Sequence, residues 1–311
     1  MATFPIFEFA KKDVERAGKA LAGSLIDSPD RREEYQQLFR VAHSWRNSHA
    51  YPMQRIKIEL SSNVRRSRQP AIVSARMKRL TSIRRKLARS TTKLSQMQDL
   101  GGCRAIVDTV DQLNSIIGRY RDGGSAHAIL RDTSYIEVPR QSGYRSHHFV
   151  LGFTAQAHEA GYDGRQIELQ LRTKLQHVWA TAVETVGMAR DEDLKSGEGD
   201  TGWLRLFALM ASEFANEEGL PIVLATPEDP AARKREIISL SGELDAVAYL
   251  SSINNSIEIM DMLSGNPKYI VIQYDKISEH IRIRGFANAI SASDFYFGQE
   301  GDKKSIKFCY G

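Results

Sequence analysis

A chain of 311 residues with 41% hydrophobic and 26% charged residues has the composition of one or two packed globular domains, not of a disordered segment. Its apolar runs fall far short of a bilayer span, and the opening MATFPIFEFAKKD lacks the basic-then-apolar pattern of an export signal. A cytoplasmic location with no membrane partner is therefore expected. The two cysteines, Cys103 and Cys309, exclude a disulfide framework and a cysteine-built zinc site.

The net charge is only +5, but no Asp or Glu occurs between Leu60 and Gln98, a stretch that carries Arg76, Lys78, Arg79, Arg84, Arg85 and Lys86 among its cations. So one-sided a run is either a solvated basic face or a binding face for nucleic acid or polyphosphate. Before it, Tyr35, Leu38, Phe39, Ala42 and Trp45 recur at helical spacing over 31–49, and Met53, Ile56, Leu60 and Val64 mark a second helix that ends before Pro70. Residues 72–90 are expected to be one further helix, with Met77, Leu80, Ile83 and Leu87 buried and with Lys78, Ser82 and Lys86 on another face.

Asp99-Leu-Gly-Gly punctuates the chain, and CRAIVD (103–108) reads as a strand. A helix over 113–121 ends at Gly123-Gly124, and strands are expected at 134–138, 146–153 and 166–172. Residues 174–189 read as a helix with Leu175, Val178, Trp179, Ala182 and Val186 apolar. The prolines clustered at 219–231 mark a boundary. Beyond it come a long helix (232–263), strands at 268–274 and 280–286, and a helix near 288–297. The expected fold class is α/β (α+β), a mixed sheet flanked by helices. A helical lead-in (1–52) precedes a main domain (53–218), and a C-terminal appendage (231–311) follows.

In IELQLRT (167–173) the alternation points Ile167, Leu169 and Leu171 to a core and Glu168, Gln170 and Arg172 to the other face. Such a row suits either a half-exposed strand or a cleft for metal and phosphates. Asp99, before a Gly-Gly turn, is either a turn residue or a Mg²⁺ ligand, since Mg²⁺ takes one or two carboxylates and fills its other positions with water and phosphate. Arg76, Lys78, Arg79, Ser82 and Lys86 could meet phosphate oxygens through charge-assisted hydrogen bonds. Tyr144, in the Ser142-Gly143-Tyr144 turn, is either a stacking ring or an aromatic packed on its own domain.

In this order, R-x-K-x-x-x-S-x-x-x-K (Arg76 to Lys86), D-L-G-G-C-R (99–104), G-Y-R-S-H-H (143–148) and I-E-L-Q-L-R-T (167–173) resemble the RelA/SpoT synthetase family, the makers of (p)ppGpp. The resemblance spans roughly residues 40–190. It implies a sheet related to the nucleotidyltransferases and Mg²⁺-dependent transfer of the β,γ-diphosphate of ATP to the 3′-hydroxyl of GDP or GTP. Carried across, Asp99 and Glu168 are the metal ligands and the catalytic pair, with Glu168 the candidate base. Arg76, Lys78, Ser82, Lys86 and Arg104 grip ATP. Tyr144, Arg145, Gln170, Arg172 and His177 serve the acceptor, with Tyr144 stacking on its base. His147 departs from the family's pattern, and His148 is either core-satisfied or catalytic.

The family's hydrolase carries a His-Asp motif, and this sequence has no such pair, so a synthetase without a hydrolase domain is expected. Two alternatives stand beside that reading. One is a toxin-type relative that modifies the 3′ end of tRNA or makes adenosine alarmones; the other is a silent nucleotide- or RNA-binding module. A homo-oligomer and a regulatory or neutralising partner are further expectations.

Overall fold

The structure is a computed structural model that describes residues 4, 6–23, 32–66, 70–252, 269–275, 281–287, 291 and 305–310. It forms two compact units. The first comprises residues 1–140, 144–178 and 214–221, and the second 141–143, 179–213 and 222–311.

The first unit opens with α1 (Lys11–Ala22), α2 (Arg32–Asn47) and α3 (Ala50–Arg66), the last starting three residues earlier than Met53 because Pro52 is accommodated in its first turn. There follow β1 (Ala71–Met77), α4 (Leu80–Arg89), β2 (Gly101–Val107), α5 (Val110–Arg121), β3 (Ala128–Ser134), β4 (His147–Gly152) and β5 (Gln166–Thr173). The single helix expected over 72–90 is thus two elements. In β1 the residues alternate between half-buried and exposed, with Ala71, Val73, Ala75 and Met77 turned inward. That period of two, with β-branched Ile72 and Val73, fits a pleated edge and overrides the helical spacing shared by Met77 and Leu80. Lys78 therefore lies between strand and helix, and only Ser82 and Lys86 ride on α4.

The strand expected at 134–138 lies earlier, at β3. Its residues are exposed but for Thr133, and an edge strand without a buried face gives no alternation to read. Ile136, in the loop that follows, is buried on its own account at 2% exposure.

The five strands form one mixed sheet in the order β1-β2-β5-β4-β3, with β2 and β5 parallel and every other pair antiparallel. One face carries Cys103, Ala105, Val107, Phe149, Leu151, Ile167, Leu169 and Leu171. These pack with Ile56, Leu60 and Val64 of α3 and Leu113, Ile116, Ile117 and Tyr120 of α5. A second cluster joins Val14, Ala17 and Leu21 of α1, Leu38, Val41 and Ala42 of α2, and Ile83 and Leu87 of α4 with Leu94, Met97 and Leu100. At about 2 kcal/mol for each large aliphatic side chain buried, Ile83 and Leu87 are enough to pin α4 against the lead-in. The sheet's other face is left for polar groups.

Helix α6 (Lys174–Arg190) leaves β5 directly and runs from the first unit into the second. Its buried stripe is Trp179, Ala180, Val183 and Val186, while Val178 is 56% exposed and Ala182 only half-buried. The stripe is thus rotated by one position from the expected one. In the second unit, α7 (Thr201–Glu217) had no counterpart in the sequence reading. It is apolar nearly all round, so no amphipathic stripe announces it. Helix α8 (Pro230–Glu243) starts at an Asp229 cap with Pro230 in its first turn and ends where Asp245 adopts φ 47°. Helical backbone resumes at 246–252, and the rest of the helix expected over 232–263 lies outside the described residues. Strands β6 (Tyr269–Asp275), β7 (Ile281–Phe286) and β8 (Ser305–Tyr310) form an antiparallel sheet ordered β7-β6-β8. The first two match the expected pair, while the helix expected near 288–297 falls almost wholly outside the described residues.

Candidate active site

Strand register assembles the polar face. Arg76 of β1 lies opposite Gly102 of β2, which lies opposite Glu168 of β5. One step along, Ser74, Arg104, Gln170 and His148 form a parallel row across four strands. Residues from four sequence motifs thus share one surface because an even number of residues separates them along each strand. The two glycines before Arg104 have different reasons. A Cβ on Gly101 would come 2.9 Å from Ile167 Cδ1, so the buried Ile167 side chain would have to turn to admit it. A Cβ on Gly102 would meet nothing nearer than the Glu168 carbonyl at 3.7 Å. Gly102 therefore leaves open a floor between Arg76 and Glu168 that packing does not require.

At the sheet's end, Lys78 Nζ and Lys86 Nζ converge on Asp99 Oδ2 at 3.0 and 2.9 Å. Lys78 reaches this point although it is not helical. Its N–H donates to the Leu100 carbonyl at 2.8 Å, and its own carbonyl accepts from Arg46 Nε at 2.6 Å. The other carboxylate oxygen, Asp99 Oδ1, is buried without a hydrogen-bond partner. A buried anionic oxygen in that state is costly unless a positive group meets it. A hard cation that keeps most of its ligands as water and phosphate is such a group, so the residues present fit Mg²⁺. Among the described residues there is no cluster of three or more His, Cys, Asp or Glu that could hold a metal ion by itself.

Glu168 is held differently. Its Oε1 accepts from His148 Nδ1 at 2.8 Å and its Oε2 from Gln170 Nε2 at 2.7 Å. The Gln170 carbonyl accepts from Arg104 Nη2 at 3.2 Å and Arg172 Nη2 at 3.1 Å. Arg172 Nη2 also donates to the Tyr144 hydroxyl at 2.6 Å, and that hydroxyl lies 2.8 Å from His148 Nε2. The five side chains Glu168, His148, Tyr144, Arg172 and Gln170 therefore close a ring of hydrogen bonds. Arg76, Lys78, Lys86, Arg104 and Arg172 outnumber Asp99 and Glu168, which leaves a positive surface suited to a polyanion.

Two acceptor-site expectations are corrected. Tyr144 does not present a free ring. It is 3% exposed, has Arg172 Cζ 5.1 Å from its centroid and meets His148 edge-on. Arg145 is 3% exposed, and its guanidinium donates to the carbonyls of Ile136 and Pro221. Arg145 therefore ties the loop after β3 to the segment after α7, and its charge is spent on backbone. The remaining expected residues sit as follows. Arg76 and Ser82 are exposed, on β1 and in the first turn of α4, and His177 is half-buried in the first turn of α6.

The two adjacent histidines separate by strand alternation. His147 faces the core at 0% exposure, 4.4 Å from the Phe149 ring centre and 3.1 Å from Asp132, and burial pushes its pKa down to about 4. His148 faces the site. The sequence reading left open whether it faces core or site, and pairing along β4 is what turns it to the site face. Tyr135 and Arg140 were not anticipated at all. Arg140 lies 4.8 Å over the Tyr135 ring, and Tyr135 meets His148 edge-on at 5.7 Å. Only the folding of the loop between β3 and β4 brings them here.

Residues 75–189 match the protein-family model described as "Region found in RelA / SpoT proteins". Among curated proteins, a guanosine-3′,5′-bis(diphosphate) 3′-pyrophosphohydrolase of Vibrio cholerae is 29% identical over 145 residues, 45% of this chain and 19% of that protein. GTP pyrophosphokinase YjbM of Bacillus subtilis is 30% identical over 112 residues, 35% of this chain and 52% of the relative. The aligned part thus spans about half of the short relative and a fifth of the long one. Among solved structures, a GTP pyrophosphokinase family protein from Streptococcus pneumoniae aligns with a TM-score of 0.46 at 23% identity, over 56% of this chain and 87% of that chain.

Proposed function

Since this chain carries a RelA/SpoT region over residues 75–189, we propose that it is a pyrophosphokinase that transfers the β,γ-diphosphate of ATP to the 3′-hydroxyl of GDP or GTP. The observation that carries the reading is the convergence of Lys78 and Lys86 on Asp99, whose second oxygen is buried without a partner, beside the open floor at Gly102 and Glu168. Curated relatives named GTP pyrophosphokinase support the donor and acceptor class.

In the free protein the two lysines neutralise Asp99. On binding, the triphosphate offers them several anionic oxygens, and charge-assisted hydrogen bonds to phosphate replace the pair with Asp99. Arg76 and Ser82, exposed at the end of β1 and the start of α4, extend that grip along the phosphate chain. Asp99 and Glu168 are the residues that would hold Mg²⁺, whose chemistry there is to offset charge on the transferring phosphates. Gln170, Arg104 and Arg172 occupy the acceptor side of the face, where Arg172 and Gln170 are fixed by each other. His177, half-buried in the first turn of α6 directly after β5, is assigned to the acceptor in this reading. Positioning and electrostatics supply most of the rate in such a transfer, and little covalent work falls to the protein. Glu168 accepts hydrogen bonds on both oxygens, as an ionised carboxylate does, and is the group nearest in kind to a base for the 3′-hydroxyl.

The test incubates the protein with Mg²⁺ and γ-labelled ATP and offers GDP, GTP, AMP and deacylated tRNA separately, with Glu168→Ala in parallel. Label on GDP or GTP, lost in the variant, is the expected result. Label on tRNA alone assigns the basic segment to an RNA acceptor and overturns the small-nucleotide reading. No transfer and no ATP binding would sink the reaction altogether.

A further inference from the structure

The hydrogen bonds around Glu168 fix its position and one proton beside it. An ionised carboxylate only accepts, so the 2.8 Å bond to Oε1 places a hydrogen on His148 Nδ1. In the neutral imidazole, Nε2 is then an acceptor. The Tyr144 hydroxyl already accepts from Arg172 Nη2 at 2.6 Å and has its own proton to give to Nε2, at 2.8 Å. Gln170 must turn its carbonyl to the two guanidinium donors, which leaves its amide for Glu168 Oε2.

Tyr144 itself leaves the chain in a turn at Gly143, where φ is +93°, and is 3% exposed. What it presents to the site is its hydroxyl, while its ring is taken up by Arg172, Tyr135 and His148. The His148 side chain is 16% exposed and meets Tyr135 edge-on as well as the ring members.

We propose that His148 is a positioning residue, which fixes the rotamer of Glu168 through Nδ1–H and is itself held in place by the hydroxyl of Tyr144. The role rests on the transfer reaction proposed above, because the rotamer of Glu168 matters to catalysis only if Glu168 works at the reacting phosphates. Partners that orient such a carboxylate are worth about 10–100-fold in activity.

Three substitutions separate the parts. His148→Asn places an amide N–H near Nδ1 and can still serve Glu168. His148→Gln places its amide near Nε2, serving Tyr144 and leaving Glu168 without that donor. Tyr144→Phe keeps the ring and removes the hydroxyl. The expected result is a fall of kcat by about 10–100-fold in His148→Gln, recovery of most of it in His148→Asn, and an intermediate loss in Tyr144→Phe. KM for both substrates should hardly move.

Long-range ¹H–¹⁵N spectra of ¹⁵N-histidine protein, with His148 assigned by its Asn variant, should show the Nδ1–H tautomer. Equal kcat loss in the Asn and Gln variants, or full activity in Tyr144→Phe, overturns the proposal. So does an Nε2–H tautomer in a wild type that transfers. A wild type that transfers nothing yet shows Nδ1–H sinks the reaction and leaves the hydrogen-bonded ring standing. All variants are first checked for native thermal melting, and Tyr144→Phe, which keeps its ring in place, decides the matter if a His148 variant melts early.

Discussion

Gly102→Ala separates packing from function at a single methyl group. Gly102 sits in β2 with ordinary extended backbone, and its added Cβ would meet nothing closer than 3.7 Å. Glycine within a strand costs about 0.5–1 kcal/mol relative to alanine, through the freedom it regains on unfolding. The variant should therefore be more stable, by about 1–4 °C in Tm at 2–4 °C per kcal/mol. The same methyl rises from the floor between Arg76 and Glu168, which are its neighbours in register on either side. If the transferring phosphates lie there, they are displaced by roughly 1 Å, which is enough to lower kcat/KM by about 100-fold. Differential scanning calorimetry and label transfer from γ-labelled ATP measure the two effects on one preparation. Gly101→Ala is the companion, since its Cβ would sit 2.9 Å from Ile167 Cδ1, on the core face, and would make that buried side chain turn without touching the floor. Wild-type kcat/KM in a stabilised Gly102→Ala protein would show that substrate does not use this floor, and the placement of the reaction beside Glu168 would be wrong.

Arg145→Met should act on stability and not on the acceptor. It leaves the buried carbonyl of Ile136 without its donor, at about 1–3 kcal/mol for a buried group left unpaired, and returns the carbonyl of the exposed Pro221 to water. Denaturant unfolding should show a loss of about 1–3 kcal/mol, with acceptor KM unchanged at low temperature; a raised KM in a protein of normal stability would restore Arg145 to the acceptor site. His49 sets an acid limit on the fold. It is 2% exposed, its Nδ1–H donates to the Trp45 carbonyl at 2.9 Å, and burial pushes its pKa down to about 4, with the Arg165 charge adding to the effect. Above pH 6.5 the ring is neutral whether folded or unfolded and costs nothing. Between 6.5 and about 4 the unfolded chain takes up a proton that the folded one refuses, so stability falls by about 1.4 kcal/mol per pH unit, some 3 kcal/mol in all. His49→Asn, which keeps the donor and cannot titrate, should flatten unfolding free energy against pH in that window. A slope equal to that of wild type would mean that His49 is protonated in the native state.

What could be read from the sequence followed local pattern strength. In β5 both faces are coherent, Ile167, Leu169 and Leu171 inward and Glu168, Gln170 and Arg172 outward, and the strand appeared with its site face correctly turned. Helix α2 and strands β2, β4, β6 and β7 were equally plain. The basic stretch was not, because Arg and Lys suit helix, edge strand and loop alike. Met77, the last residue of β1, falls by chance three positions before Leu80, the first of α4, and one helix was read where strand and helix meet. Edge strand β3 and all-round apolar α7 lack the contrast that periodicity needs.

The site is composed of contacts that no single segment encodes. Lys78 was expected beside Lys86 as a helix neighbour, and it arrives there from a different element. Its backbone is held by Leu100 and Arg46, and its charge is drawn to the same Asp99 oxygen that Lys86 meets. The pairing was anticipated for the wrong geometric reason. Charge explains why the result survived. Within a stretch free of acids, the first carboxylate to follow is Asp99, and any fold that brings β1 and α4 alongside β2 must deliver lysines to it. The tyrosine–histidine–glutamate ring is the converse case, since its members lie at 144, 148 and 168 and meet only through the register of His148 with Gln170 across β4 and β5. A shift of that pairing by one residue would turn His147 to the site and His148 to the core. What keeps the register is the apolar face, where Phe149 and Leu151 have to meet Leu169 and Ile167. The orientation of the candidate catalytic carboxylate is therefore set, through strand pairing, by the packing of the opposite side of the sheet.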